Sequence, residues 1–307
     1  MKLRHLGYAC INLSLGCTTG HTLRLANLTA DKVGGVIAAN LNNLESILEW
    51  NLARGIRFFR VSSEVIPFAG HASFPIVWQE AFAARLAEIG AFVAANGVRL
   101  SVHPGQYTVL NSPRPEVAAS ALAELEYHAQ FIRGVDPAQG TVTLHVGGAY
   151  GDKATAKATF RKNFVRLSPL AQATLILEND DKVYHALEVL ELCEALGLPM
   201  VFDLFHHKCH HRGESWREGL VPLLARVVAT WQGRAEGGVP KFHLSSLKAG
   251  SRTSHADTIE QADFEEFVAL LAGIGDDEPY DLMLEAKLKD KALLGLHQPQ
   301  TARPVSP

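Results

Sequence analysis

Short apolar runs rich in β-branched and aromatic residues alternate along the chain with longer stretches in which apolar residues recur every three or four positions. The short runs predict β-strands, and the longer stretches, such as EVAASALAELEYHAQFI and YHALEVLELCEAL, predict amphipathic helices. Eight strand and helix units can be counted. Their strands are expected near 4–8, 56–61, 98–103, 142–146, 173–178, 199–204, 240–245 and 281–286.

Eight consecutive βα units are typical of an α/β fold, the (β/α)8 TIM barrel, which forms as a single domain. A doubly wound sheet is the alternative, but it uses fewer strands and collects ligands at one switch point rather than around a ring. Several glycines stand just beyond the predicted helix ends, where a left-handed residue stops a helix. They are Gly55, Gly97, Gly134 and Gly197.

The composition is that of one large globular domain. The chain has 307 residues, of which 47% are hydrophobic and 20% are charged. We expect the barrel to span 1–294 and the polar tail 295–307 to be disordered. The net charge of -3 argues against a general nucleic-acid binder. Four scattered cysteines indicate reduced thiols, no run approaches the roughly 20 apolar residues of a membrane span, and we expect a cytoplasmic monomer.

From the third predicted strand onward, each strand stops at or near a side chain that binds metal ions. The carboxyl ends of barrel strands surround one mouth, so these side chains are expected to converge. Imidazole together with carboxylate suits zinc, manganese or iron, and one ion usually takes about three or four protein ligands, so the set predicts two or three ions. The candidate ligands are His103, His145, Glu178, Asp203, His206, His243, His255 and Glu285.

Glu178, at the end of the fifth strand, is the natural bridge between neighbouring ions. A centre with three carboxylates and three divalent ions would be cationic, so it would attract a phosphodiester and activate water against it. The basic stretch KATAKATFRKNFVR is either a DNA contact or a solvated face. The HHKCHH stretch offers a separate zinc site as an alternative, which is disfavoured because His206 already has a role in the main set.

Three motifs, HPGQY, LENDD and DLFHH, form a combination that is far more specific than any one of them. They occur in order with HLGYACINLSLGCTTGHTLRLANLT, RVSSEVIPFAGH, LHVGGAYGDK, KFHLSS and LEAK. Together they resemble the UV damage endonuclease family over nearly the whole chain. The resemblance implies a barrel shared with endonuclease IV-type nucleases and xylose isomerases. It also implies that the eight candidate ligands hold three divalent ions, often manganese, with zinc or a mixed set as alternatives.

The resemblance implies hydrolysis of the phosphodiester immediately 5′ to a DNA lesion. We therefore expect incision of damaged double-stranded DNA at UV photoproducts, and also at abasic sites, leaving 3′-hydroxyl and 5′-phosphate ends. A metal-dependent sugar isomerase or epimerase on the same barrel is the alternative, although it does not need eight ligands. A damaged-DNA sensor without activity is a third hypothesis, and its binding would survive chelation.

The resemblance also implies DNA contacts. Gln106 and Tyr107 would enter the duplex as a wedge opposite a flipped lesion, since an aromatic ring can fill the gap and an amide can bond the orphaned bases. The alternative is that Tyr107 caps the barrel mouth. Tyr8 and Asn12 would contact the lesion, although an Asn12 turn that supports the fold is the alternative. His71 would lie near the site, with a surface-loop histidine as the alternative.

Lys241 completes a catalytic set with Glu178 and His243. It precedes His243 by two residues on one strand, so both side chains are expected to point inward. A lysine beside several cations is electrostatically unfavourable, and the resemblance suggests that its amine is deprotonated or carboxylated. The alternative is an ion pair with Asp203 or Glu285.

Overall fold

The computed structural model describes residues 1–233, 238–275 and 277–296, and eight parallel strands in these ranges close into a barrel. In chain order the strands are β1 (Lys2–Ala9), β2 (Ile11–Asn12), β3 (Cys17–Thr18), β4 (Phe58–Val61), β5 (Arg99–Val102), β6 (Thr141–His145), β7 (Leu175–Glu178), β8 (Met200–Asp203), β9 (Lys241–Leu244) and β10 (Pro279–Leu284). All except β2 and β3 belong to the barrel, where each strand pairs with the next and β10 pairs with β1. The prediction of a TIM barrel is confirmed, and every predicted strand overlaps an observed one.

Helices connect the strands and cover the outside of the barrel. They are α1 (Ala30–Leu52), α2 (Trp78–Ala81), α3 (Ala83–Ala95), α4 (Pro115–Val135), α5 (Lys153–Phe164), α6 (Pro169–Thr174), α7 (Ala186–Leu196), α8 (Leu204–Cys209), α9 (Leu220–Ala229), α10 (Gln261–Ala272) and α11 (Lys289–Gly295). Each long helix buries one stripe at helical spacing, and that apolar stripe drives its packing against the strands. In α1 the stripe includes Val33, Ile37, Leu41, Leu44 and Leu48.

Four glycines were predicted to follow helix ends, and the prediction is correct for three of them and wrong for one. Gly55, Gly97 and Gly197 have φ values of 74°, 59° and 66°. Gly134 instead lies inside α4. A Cβ on Gly90 of α3 would come within 2.9 Å of the Gly134 carbonyl oxygen, so α3 and α4 approach too closely there for larger residues.

The floor of the barrel is polar and buried. Arg99 Nη1 lies 2.8 Å from Asp281 Oδ2. Lys241, level with Asp281 in the strand register, donates to Thr141 and Thr143 Oγ1 at 3.2 and 2.9 Å. This network holds the strands together directly beneath their carboxyl ends.

The expected tail 295–307 lies almost entirely outside the described residues, so the domain boundary at 294 stays a prediction. In the part of the chain that the structure describes, every helix is too short or too polar to cross a bilayer.

Candidate metal centre

The strand register brings the candidate ligands together at one barrel mouth. His145 pairs with Glu178 across β6 and β7, and Asp203 pairs with His243 across β8 and β9. Asp203 also caps α8 by accepting a hydrogen bond from the His206 backbone N–H at 2.7 Å. This cap turns the chain back over the mouth, so that His206 Nδ1 lies 3.7 Å from Glu178 Oε1.

Glu178 lies at the centre of the ligand set and is fully buried. Its Oε2 atom lies 3.0 Å from His103 Nε2 and 3.9 Å from His145 Nε2. Its Oε1 atom lies 2.7 Å from His243 Nδ1. The two oxygens therefore face different imidazoles, so Glu178 could take part in holding more than one ion.

Seven of the eight predicted ligands fall into three groups whose ligand atoms lie within 4.8 Å of one another, and Glu178 belongs to all three. The eighth, His255, lies at the edge of the set, with its Nδ1 atom 3.8 Å from Glu285 Oε2 and its ring 6.1 Å from that of His206. The groups are His103, His145 and Glu178; Glu178, Asp203 and His206; and Glu178, His243 and Glu285.

The residues present fit divalent cations. Asp203 is fully buried, and its Oδ2 atom has no hydrogen-bond partner among the described residues. A buried carboxylate oxygen without a partner is costly, and a cation would remove that cost. Mixed imidazole and carboxylate donors are those that zinc, manganese and iron accept.

The ionisable side chains of the centre shift one another's pKa values. Burial raises the pKa of Glu178, but the imidazoles of His243 and His145 outweigh this effect and hold it well below the usual range. Burial lowers the pKa of His206, but Asp203 and Glu178 together raise it to about 9. Burial lowers the pKa of His103, which favours the neutral imidazole that binds metal ions.

Lys241 lies beneath the centre and is fully buried. Burial and the guanidinium groups of Arg99 and Arg60 hold the pKa of Lys241 well below its usual value. Its described partners are threonine hydroxyls. The alternative of an ion pair with Asp203 or Glu285 therefore does not describe this arrangement.

A cleft of about 980 Å³ opens beside the centre, and His103, His145 and His206 form part of its lining. Gln106 and Tyr107, on the loop after β5, line the same cleft, and Tyr107 is 84% exposed. A side chain so exposed does not cap the mouth by packing against it. Both residues are therefore available to a ligand in the cleft.

Tyr8 and Asn12 are both fully buried, and their expected contact with a lesion stays a prediction. Tyr8 Oη donates to Asn51 Oδ1 at 2.7 Å and accepts from Asn12 Nδ2 at 2.8 Å. Asn12 Oδ1 accepts from the Leu15 N–H at 2.8 Å. The alternative, an Asn12 turn that supports the fold, agrees with these contacts.

Two other expectations concern histidines around the centre. His71 is exposed on a loop, where its Nδ1 atom accepts from the Ser73 N–H at 3.1 Å, and none of its described contacts reaches a ligand. In the HHKCHH stretch, His207 Nε2 donates to the Trp216 carbonyl at 2.8 Å. Among the described residues, this stretch contributes only His206 to a group of three ligand atoms.

Two residues of the centre were missed. Arg60, only 7% exposed, lies 2.5 Å from Glu285 Oε1 and 3.0 Å from His243 Nε2. Asn179 bonds both the N–H and the carbonyl of Asp203 at 3.0 Å, and its own carbonyl accepts from His206 Nδ1 at 2.9 Å. Asn179 directly follows the apolar run that ends at Glu178, which is the signal that identified the ligands, whereas Arg60 lies inside β4.

A TIM barrel whose mouth collects imidazoles and carboxylates around a shared glutamate belongs to the class of barrels with a mouth able to hold metal ions. Within that class, residues 4–304 match the model of the family described as UV-endonuclease UvdE. The chain therefore belongs to this family of endonucleases.

Individual relatives agree with the family match. The chain is 33% identical to the UV DNA damage endonuclease of Clostridium perfringens over 93% of this chain and 68% of that protein. It is 37% identical to the UV DNA damage endonuclease of Bacillus pumilus over 84% of this chain and 79% of that protein. The crystal structure of SacUVDE superposes with a TM-score of 0.85 at 37% identity and covers 94% of this chain and 95% of that one.

Proposed function

We propose that this protein is a metal-dependent DNA-repair endonuclease. It hydrolyses the phosphodiester immediately 5′ to UV photoproducts and at abasic sites, leaving 3′-hydroxyl and 5′-phosphate ends. The observation that carries the proposal is the position of Glu178, whose two oxygens face His103 at 3.0 Å and His243 at 2.7 Å. Family membership supports DNA as the substrate.

The proposed centre holds three divalent ions, with manganese as the first candidate. When bound, the ions would polarise a phosphoryl oxygen, lower the pKa of water towards about 7 and stabilise the leaving oxygen. Glu178 belongs to all three groups of ligand atoms, which supports its role as the shared carboxylate. The proposed ligands are His103, His145, Glu178, Asp203, His206, His243, His255 and Glu285.

The residues around the ligands orient them. Arg60 contacts both Glu285 and His243, so it limits the rotation of both side chains. Asn179 holds the backbone on both sides of the Asp203 Cα atom. Fixed ligands hold a centre in its productive geometry without further ordering when substrate binds.

We assign Lys241 a neutral amine, because burial and two nearby arginines disfavour its charged form. A neutral amine is also the form that carbon dioxide carboxylates, which would add a compensating anion beneath His243. Intact mass measured under non-acidic conditions tests the modification. A mass equal to that of the unmodified chain would restrict Lys241 to the neutral amine.

Gln106 and Tyr107 are proposed to enter damaged DNA as a wedge, which their exposure at the cleft supports. An aromatic ring can occupy the gap left by a flipped lesion, and damage lowers the cost of opening the duplex. At the start of the basic helix α5, Lys153 is less available to DNA than the sequence suggests, because its Nζ atom lies 2.9 Å from Glu188 Oε2.

The test is an incision assay in Mn²⁺ with an end-labelled duplex that carries one thymine dimer. We expect a single cut 5′ to the dimer, a 3′ end that a polymerase extends, a 5′ end that a ligase joins, and loss of cutting on chelation. An undamaged duplex and an aldose are the controls. Aldose turnover without incision would favour a sugar isomerase, and binding that persists without any incision would favour a damage sensor.

A further inference from the structure

Tyr150 lies on the loop between β6 and α5 and lines the cleft that contains His145 and Tyr107. It is 51% exposed, and its φ of 49° places it in the left-handed region. A bulky residue rarely adopts this conformation, and it persists only where the surrounding structure enforces it. Residues held in this way are concentrated at sites that bind ligands.

The loop is built around one face of the Tyr150 ring. That face packs on Gly148, where an added Cβ would lie only 2.9 Å from the ring. The Gly148 carbonyl accepts from Asn111 Nδ2 at 2.6 Å and from Tyr184 Oη at 3.2 Å, and both of these side chains are buried. Asp152 fixes the far end of the loop by capping α5. The ring therefore has one covered face, and its exposed area faces the cleft.

We propose that Tyr150 is a stacking platform for an unpaired nucleobase of the bound DNA. The proposal rests on the proposed function, in which a wedge at Tyr107 would unpair bases inside the cleft. Tyr150 lines the same cleft, so an unpaired base could reach its ring. An exposed aromatic face stacks on any of the four bases, since each has a π-face. Arg114 and Lys182 line the same cleft and supply positive charge for the phosphates on either side of the base.

Two substitutions distinguish the effect of the aromatic ring from that of the loop conformation. Tyr150→Asn removes the ring but keeps a residue type that tolerates the left-handed conformation, and Tyr150→Phe keeps the ring without the hydroxyl. The probe is a duplex with a two-base mismatch that carries 2-aminopurine at one unpaired position. A gel confirms that its strands stay intact during the measurement. Stacking on the platform changes the fluorescence of the probe.

We expect the wild type and Tyr150→Phe to give the same fluorescence change, and Tyr150→Asn to give little. The affinity of Tyr150→Asn for the mismatched duplex should fall by roughly 5- to 150-fold, the range for one stacked base. Affinity for a fully paired duplex should be equal in all three proteins. Metal content should also be equal, because Tyr150 belongs to none of the ligand groups.

Wild-type fluorescence and affinity in Tyr150→Asn would overturn the platform. Equal losses in Tyr150→Phe and Tyr150→Asn would also overturn it, because the ring would then not be the cause. Incision of a thymine-dimer duplex by the wild type is measured in parallel and reports the proposed function separately. Intact stacking without incision would support the platform and contradict the activity, whereas incision without stacking at Tyr150 would contradict the platform.

Discussion

Arg60 provides a test of whether cations occupy the centre. Arg60→Met removes a buried guanidinium that lies 2.5 Å from Glu285 Oε1. Breaking a buried ion pair by removing one partner costs about 3–5 kcal/mol, because the other charge stays buried and uncompensated. A large domain loses roughly 2 °C of melting temperature for each kcal/mol taken from its free energy of unfolding. The melting temperature of Arg60→Met without divalent ions should therefore be about 6–10 °C below that of the wild type.

Divalent ions should reverse most of this loss. A cation bound beside Glu285 compensates the charge that the guanidinium compensated before, so saturating Mn²⁺ should reduce the deficit to less than half. Circular dichroism melts of wild type and variant, in EDTA and in Mn²⁺, measure the difference.

Arg99→Met is the matched control. Arg99 lies 2.8 Å from Asp281 in the barrel floor, outside every group of candidate ligands, so its loss should be the same with and without Mn²⁺. An equal deficit of Arg60→Met in both buffers would show that Glu285 faces no bound cation.

Three other substitutions test the shared carboxylate, the wedge and the buried carboxyl of Glu124. Glu178→Gln should lower incision by more than about 100-fold, since even residues behind metal ligands cost 10- to 100-fold, and should reduce the bound metal measured by elemental analysis. The double variant Gln106→Ala and Tyr107→Ala should lower the binding preference for damaged duplex by roughly 10-fold, in the range of one lost stacking contact, at unchanged metal content. Burial and the nearby charge of Glu64 raise the pKa of Glu124 to about 7 from 4.5. The contribution of the protonated Glu124 carboxyl to the free energy of unfolding is therefore complete below pH 4.5 and is lost as pH rises through 7. The neutral amide of Glu124→Gln avoids the cost of a buried carboxylate. The variant should therefore raise the free energy of unfolding by about 2 kcal/mol more in alkaline than in acidic buffer, a value already reduced because Glu124 is partly exposed.

Each of these expectations has a contrary result. Full metal content and normal incision in Glu178→Gln would remove the shared carboxylate from the mechanism. Unchanged discrimination between damaged and intact DNA in the double variant would rule out the wedge. A Glu124→Gln effect that does not vary with pH would show that this carboxyl ionises in the folded chain as it does in the unfolded one.

The barrel and most of the centre were predictable because one pattern reports both. An apolar run marks a strand, and the polar residue that ends it marks the mouth, so His145, Glu178 and Asp203 could be located without coordinates. Arg60 instead lies inside β4, one residue before its end. Its role was missed because an arginine is not a metal ligand, and only the packing shows that it contacts Glu285.

Burial at the mouth could not be predicted from the same pattern. Tyr8 follows a strand-like run as the ligands do, yet Asn51 of α1 and Asn12 bond its hydroxyl and enclose it. The contact between Tyr8 and Asn51 joins residues far apart in sequence, which strand periodicity does not encode. Gly134 was misplaced for a similar reason, since it lies inside α4 where Gly90 of α3 packs close to its carbonyl oxygen, a contact between helices that the sequence pattern does not show.

Imidazoles and carboxylates from separate strands are proposed to bind several ions together, and a count of those ions is the decisive measurement. Elemental analysis of dialysed protein should be paired with incision measured on the same samples as Mn²⁺ is titrated back. Three ions per chain are expected at full incision of the thymine-dimer duplex, with loss of incision when they are removed. Full incision with fewer than two ions per chain would contradict the proposal that several ions bind together.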